Sequence, residues 1–218
     1  MISEVRFLLH KDLSLELRRM HHINGLLLFV LGTVFLCFLS FQSKLEPEKW
    51  NALFWIIQLF AAVHASGHSF SGEHPNRHIY YYTIASPGAI LLSKTIYNFI
   101  LLLITGLGSF GAFCLLLGSP VSNVFNFIGI IALAALGFSS ILTLVAAIAW
   151  RSGHNFSLMA ILSFPVMYPF MIALIKASLL SIGNAEIGSM VGFVLVLILI
   201  SALAIALAFI LFPYLWKE

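Results

Sequence analysis

Residues 95–150 contain no charged side chain. A folded surface in water cannot be made from so long a run, but two membrane helices of about 20 residues each, with a turn between them, fit it well. In hydrocarbon every backbone N–H and C=O must find its partner within the protein, which limits spanning segments to helices or closed barrels. A run this long and continuously apolar reads as helices. The rest of the composition agrees, with 61% hydrophobic and 9% charged residues, against about a quarter charged in ordinary soluble domains. The chain is therefore expected to be an all-α integral membrane protein. Its formal net charge of +3 is what basic residues flanking membrane helices produce, and it implies no nucleic-acid partner. Cys37 and Cys114 fall within apolar runs and read as small hydrophobes. There is no C-x-x-C or C-x-x-C-H motif. No cleavable leader is expected either, because charge extends to Arg19 before any apolar run begins.

The apolar runs predict six spans, at about 24–43, 50–72, 89–117, 125–150, 156–175 and 187–213, in one permease domain covering 1–218. The breaks carry turn residues: Glu46-Pro47-Glu48, Gly118 to Asn123, Arg151 to Asn155, and Ser181 to Asn184. Arg6, Lys11, Arg18, Arg19, Arg77, Lys94, Arg151 and Lys217 fall on one side of this arrangement, and Lys44, Lys49 and Lys176 on the other. The bias predicts that both termini are cytoplasmic. Residues 1–22 are too charged to span. Val5, Leu9, Leu13, Leu17 and Met20 share one arc of a helical wheel, with Glu4, Lys11, Arg18 and Arg19 opposite, while Arg6 and Glu16 interrupt the stripe. An interfacial helix on the cytoplasmic leaflet is expected, with Lys11, Glu16, Arg18 and Arg19 toward headgroups or solvent.

Ionisable groups are costly in a bilayer, so the few present are candidates for chemistry. Half of the histidines lie in 64–82. His64/His68 and His74/His78 have the i,i+4 spacing that could place two metal ligands on one helix face. No third ligand is visible, so no metal site is expected. A bis-histidine haem site needs ligands from two facing helices at similar depth. His10, His21, His22, His74, His78 and His154 all belong to interfacial or loop segments. No span carries a central acid, and no phosphate-binding Gly-x-x-x-x-Gly-Lys-Ser/Thr loop occurs. The chain is expected to be non-catalytic and to hydrolyse no ATP itself. Lys94 lies one turn into the third span and is expected to snorkel to the headgroups. Pro165 and Pro169 each remove a helical hydrogen bond, which predicts a kink or break in the fifth span and a candidate hinge. Gly106, Gly108, Ser109, Gly111 and Ala112 favour close helix contact in the third.

Three segments carry a family resemblance. "DLSLELRR" (12–19) is similar to the charged leader of the CcmB-type permease of cytochrome c maturation, the membrane subunit of a haem exporter. "YYYTIASPGAILLSKTIYN" (80–98) resembles that family's loop ending in a lysine at the next helix, and 136–174 its fourth helix, short basic turn and doubly prolyl fifth helix. The second loop departs from the pattern, with "GEHPNRHIYYY" where many relatives carry an acidic run. The resemblance implies an ABC-2 exporter-like fold. It also implies a partner ATPase (CcmA-like) that holds the ATP, a haem-handling membrane protein (CcmC-like), a small subunit (CcmD-like) and a haem chaperone (CcmE-like). A second copy of the chain and membrane lipids complete the expected partners, in a bacterial inner membrane. Haem is the expected cargo, with release of the haem-loaded chaperone as the alternative step, and this chain itself is expected to hold no cofactor. On this reading 73–88 is a cytoplasmic coupling segment. Glu73, His74, Pro75, Asn76, Arg77, His78, Tyr80 and Tyr81 would dock the ATPase, and Ser86, Pro87 and Lys94 would lead from loop to helix. A permease for a lipid, polymer or drug is the nearest alternative, and a membrane cytochrome the more distant one.

Overall fold

A computed structural model describes residues 2–19, 21–41, 45–71, 86–151, 156–183 and 187–217; the side chains at 2, 16–19, 21, 22, 68–71, 151, 156, 187, 213 and 215–217 lie outside that description. The described residues form seven helices and no strand: α1 (Ile2–Arg19), α2 (His21–Phe41), α3 (Pro47–Ser71), α4 (Pro87–Leu117), α5 (Val124–Arg151), α6 (Phe156–Ile182) and α7 (Ile187–Lys217). Five of them, α2 and α4 to α7, are long and apolar enough to cross a membrane. The chain is thus an all-α, multi-pass membrane protein.

Local chemistry sets the helix ends. Pro47 and Pro87 occupy first-turn positions, where a missing N–H costs nothing. Ser86 precedes α4 in an extended conformation, and its carbonyl accepts the Ala89 N–H at 2.9 Å. α4 stops at Gly118, whose φ of 75° is open to glycine without the penalty a Cβ would bring. Asn123 caps α5, its Oδ1 accepting the Asn126 N–H at 3.2 Å.

α5 is the axis of the bundle and packs against α3, α4, α6 and α7. Its buried positions mix Ala134, Ala135, Ala146 and Ala147 with Phe138, Ile141 and Leu142. The alanines let neighbouring backbones come close, and packing rather than hydrophobic exclusion is what holds helices together in lipid. α3 is not among the five apolar helices, yet Trp50, Asn51, Phe54, Trp55, Ala61, Ala62 and Ser66 on it are all buried. Its polarity is turned inward, onto α4, α5 and α6. The outer faces of α2 and α7 are exposed leucine, isoleucine, valine and phenylalanine, the surface that lipid tails solvate.

Two expectations for the fifth span change. It runs to Ile182 rather than 175. Lys176, which suggested a boundary, points outward with its ammonium 6.0 Å from the centre of the Phe193 ring, so the charge does not end the helix. Nor does the helix break at its prolines, for the helical assignment continues through Pro165 and Pro169. Both rings sit on the exposed side, where they displace no packed neighbour.

Candidate functional site

The bundle has two polar ends. At the first, α1 lies against α4. Val5 and Leu8 are buried in the contact, with Leu9 and Leu13 packed beside them, while Phe7 and Leu15 face outward. The apolar arc expected for this helix is therefore present at Val5, Leu9 and Leu13, rotated to include Leu8. Glu4, half-exposed at the edge of this contact, is tied to α4. Its Oε2 accepts the Ser86 backbone N–H at 3.1 Å and the Ser86 hydroxyl at 2.9 Å. Two turns on, Asp12 accepts from Lys94 Nζ at 3.2 Å and from Lys11 Nζ at 3.1 Å.

Each contact has a physical cause. The first N–H groups of α4 have no partner within their own helix, and the helix dipole adds positive potential there. Glu4 supplies a carboxylate at that point. The Ser86 N–H first, then the N-terminal ammonium and the Ser86 hydroxyl, hold the Glu4 carboxyl well below the usual range, at about 2. Lys94 does not snorkel. Its side chain is 7% exposed, and a buried ammonium of this kind needs a counter-charge, which Asp12, at 10% exposed, provides. Glu4 and Asp12 are eight residues apart, as are Ser86 and Lys94. The two pairs are in step, so α1 and the first turns of α4 run side by side in the same direction. One turn past Lys94, buried Asn98 donates from Nδ2 to Thr143 Oγ1 at 2.9 Å, carrying the connection into α5.

At the opposite end, the start of α3 is locked in place. Trp50 Nε1 donates to the Gly118 carbonyl at 3.0 Å, and its ring meets Phe54, Phe110, Phe113 and Phe127 at centroid distances of 5.3–6.3 Å. Asn51 Nδ2 donates to the Ile175 carbonyl at 3.0 Å. Trp55 Nε1 donates to both Asn51 Oδ1 at 3.0 Å and Ser178 Oγ at 2.8 Å. Ser122 Oγ donates to the Ile182 carbonyl at 2.9 Å. Midway along α3, Gln58 Nε2 hydrogen-bonds Ser109 Oγ on α4.

Of the residues singled out in the sequence, the structure brings Lys11, Ser86 and Lys94 into one place, with Pro87 opening the helix beside them. Glu73, His74, Pro75, Asn76, Arg77, His78, Tyr80 and Tyr81 lie outside the described residues, as do the side chains of Glu16, Arg18 and Arg19. Pro165 and Pro169 lie on α6, outside the α1–α4 contact. His64 is on an exposed face of α3. Among the described residues no group of three His, Cys, Asp or Glu side chains could hold a metal ion. Glu4 and Asp12 were missed as site residues. The matching eight-residue spacings, and the need of Lys94 for an acid, were the signals that could have found them.

Comparison with known proteins gives a family. The model of the CcmB protein family matches residues 3–212, nearly the whole chain and both halves of the α1–α4 contact. No curated protein and no solved structure matches. With a match of that extent, on an all-helical multi-pass chain, the protein belongs to the CcmB family, the membrane subunits of haem export in cytochrome c maturation.

Proposed function

We propose that this chain is the membrane lever of an ABC-type complex of cytochrome c maturation. ATP is hydrolysed by a CcmA-like partner, and the chain converts that event into haem export or release of a haem-loaded chaperone. CcmC-like, CcmD-like and CcmE-like proteins complete the assembly, in the bacterial inner membrane and with both termini cytoplasmic. α2 to α7 make six spans, with α3 as the one whose polarity is hidden by its neighbours. α1 rests at the cytoplasmic interface beside the first turns of α4, presenting Arg6, Phe7 and His10 outward.

One observation carries the reading. The coupling segment 73–88 enters α4 through Ser86 and Pro87, and Ser86 is the residue that Glu4 grips. A displacement of the segment by nucleotide-driven closure of the ATPases therefore meets α1 and α4 already joined at two points, Glu4–Ser86 and Asp12–Lys94. A force on a tethered helix pair moves the pair as a unit, whereas a force on a free loop is dissipated in the loop. Coupling also requires a contact that differs between two states. Glu73, His74, Pro75, Asn76, Arg77, His78, Tyr80 and Tyr81 supply charges and amphipathic rings for that contact.

Joint replacement of Glu73, Arg77 and Tyr81 by alanine is the direct test. The variant should insert normally into membranes yet lose the ATPase in affinity purification. Undiminished co-purification overturns the docking role of this segment.

A further inference from the structure

α6 is attached unequally along its length. Its last third is fastened by side chains. The Ile175 carbonyl accepts from Asn51, Ser178 accepts from Trp55, and the Ile182 carbonyl accepts from Ser122. Phe170, Leu174, Ala177 and Ser178 are fully buried there. Its first half is held by apolar contacts, with Met159, Ser163 and Met167 buried about one turn apart, Leu158 against the core and the Phe164 ring edge-on to Phe60 of α3 at 6.0 Å, while Ile161, Leu162, Val166 and Tyr168 are exposed. Pro165 and Pro169 lie between the two halves. Neither has an N–H, so the carbonyls of Ile161 and Pro165 lose their helical donors. Ile161, Pro165 and Pro169 all lie on the exposed side. The two absent bonds therefore fall on one face, which can lengthen by opening and so tilt the first half toward the bundle.

A bearing stands at the junction. The Phe170 ring, next to Pro169, is seated over Gly137 of α5 so closely that a Cβ on Gly137 would overlap the tip of the ring. The ring of Phe138 braces it at 5.5 Å. α5 is itself softened at this level, since Ser139 and Ser140 donate back to the carbonyls of Leu136 and Gly137 at 2.9 Å.

We propose that α6 is a hinged arm. Phe170–Ile182 is its fixed part, Phe170 on Gly137 its pivot, and 156–168 its swinging part. The arm gives the lever of the proposed function a moving element, and it rests on that reading for its purpose but not for its geometry. From Pro165 back to Ser157 is about 12 Å of helix. A bend of about 20° there moves Ser157 by about 4 Å.

The test uses the whole chain in nanodiscs, with Cys37 and Cys114 replaced by alanine and nitroxide pairs read by pulsed electron resonance. Leu115→Cys with Ser157→Cys reports the arm, and Leu115→Cys with Lys176→Cys the fixed part. The arm pair should give a broad or two-peaked distance distribution and the fixed pair a narrow one. Pro165→Ala with Pro169→Ala should narrow the arm distribution alone. Gly137→Ala should shift it by several ångströms while the fixed pair stays in place, and adding Phe170→Leu should reverse the shift. Equal widths for the two pairs overturn the hinge, and a Gly137→Ala variant with both distributions unchanged overturns the pivot. These readings need no ATPase. Undiminished ATPase co-purification by the Glu73, Arg77 and Tyr81 variant would sink the docking role and leave the hinge standing, whereas equal widths for the two nitroxide pairs would sink only the hinge.

Discussion

At the scale of the residue, Asp12 is the charge on which the first bundle end depends. It lies between a buried lysine and a partly exposed one, and its removal takes a counter-charge from the buried member. Asp12→Asn should cost about 3–5 kcal/mol, the range for breaking a buried pair by deleting one partner. Lys94→Met should cost less, because Asp12 keeps Lys11 at 3.1 Å. The double variant should recover most of the loss, a coupling that thermal unfolding of the four purified proteins in detergent would measure. Additive losses would mean that the pair contributes nothing beyond its separate groups. Glu4 gives a pH signature with a definite sign. A carboxyl lowered from 4.5 to about 2 contributes stability that is complete above about 4.5 and is lost as the pH falls toward 2. Amide exchange in the first turn of α4, referenced to α5, should accelerate through that window, and Glu4→Gln should abolish the dependence.

At the scale of the element, the helices were legible because hydrocarbon leaves the backbone no choice. Every apolar run of sufficient length became a helix, and the Gly118 to Asn123 break became a turn with a glycine at positive φ and an asparagine cap. What escaped were relations between helices. A helical wheel knows only its own helix, so it placed Glu4 opposite the apolar arc although its partner Ser86 lies 82 positions away. It likewise treated Lys94 as a snorkelling residue, because snorkelling is what a lone terminal lysine does. α3 illustrates the converse. Asn51, Gln58 and Ser66 look like interruptions in a span, but each is buried, and the first two bond α6 and α4. Asn51→Leu should thus destabilise the protein by about 2–3 kcal/mol, since it leaves the Ile175 carbonyl and the Trp55 and Ser178 groups short of a partner in a dry site. Thermal unfolding checks this, and a Leu variant as stable as wild type would show that packing alone holds α3 to α6.

At the scale of the whole molecule, the contacts make α3 to α7 alternate in direction. The start of α4 meets α1, and Gly88 there lies against Phe209 near the end of α7, a Cβ on the glycine standing 3.3 Å from the ring. The end of α4 meets the start of α3, and the end of α6 meets it too. The α1 end and the Trp50 end are therefore opposite faces of one bundle. Of the lysines and arginines whose side chains are described, Lys49 and Lys176 belong to the Trp50 side, and Lys49 there is paired with Glu46 at 2.9 Å. Arg6, Lys11 and Lys94 belong to the α1 side, and basic residues are retained on the cytoplasmic side of a membrane as it is built. The α1 end should face the cytoplasm. With Cys37 and Cys114 replaced by alanine, a single cysteine at Lys49 should react with a membrane-impermeant maleimide in intact spheroplasts. One at Phe7, 70% exposed at the α1 end, should react only after permeabilisation. The opposite pattern would put Ser86 and the segment before it out of reach of any cytoplasmic ATPase. The grip of Glu4 would then be a static fastening, with no source of force to transmit.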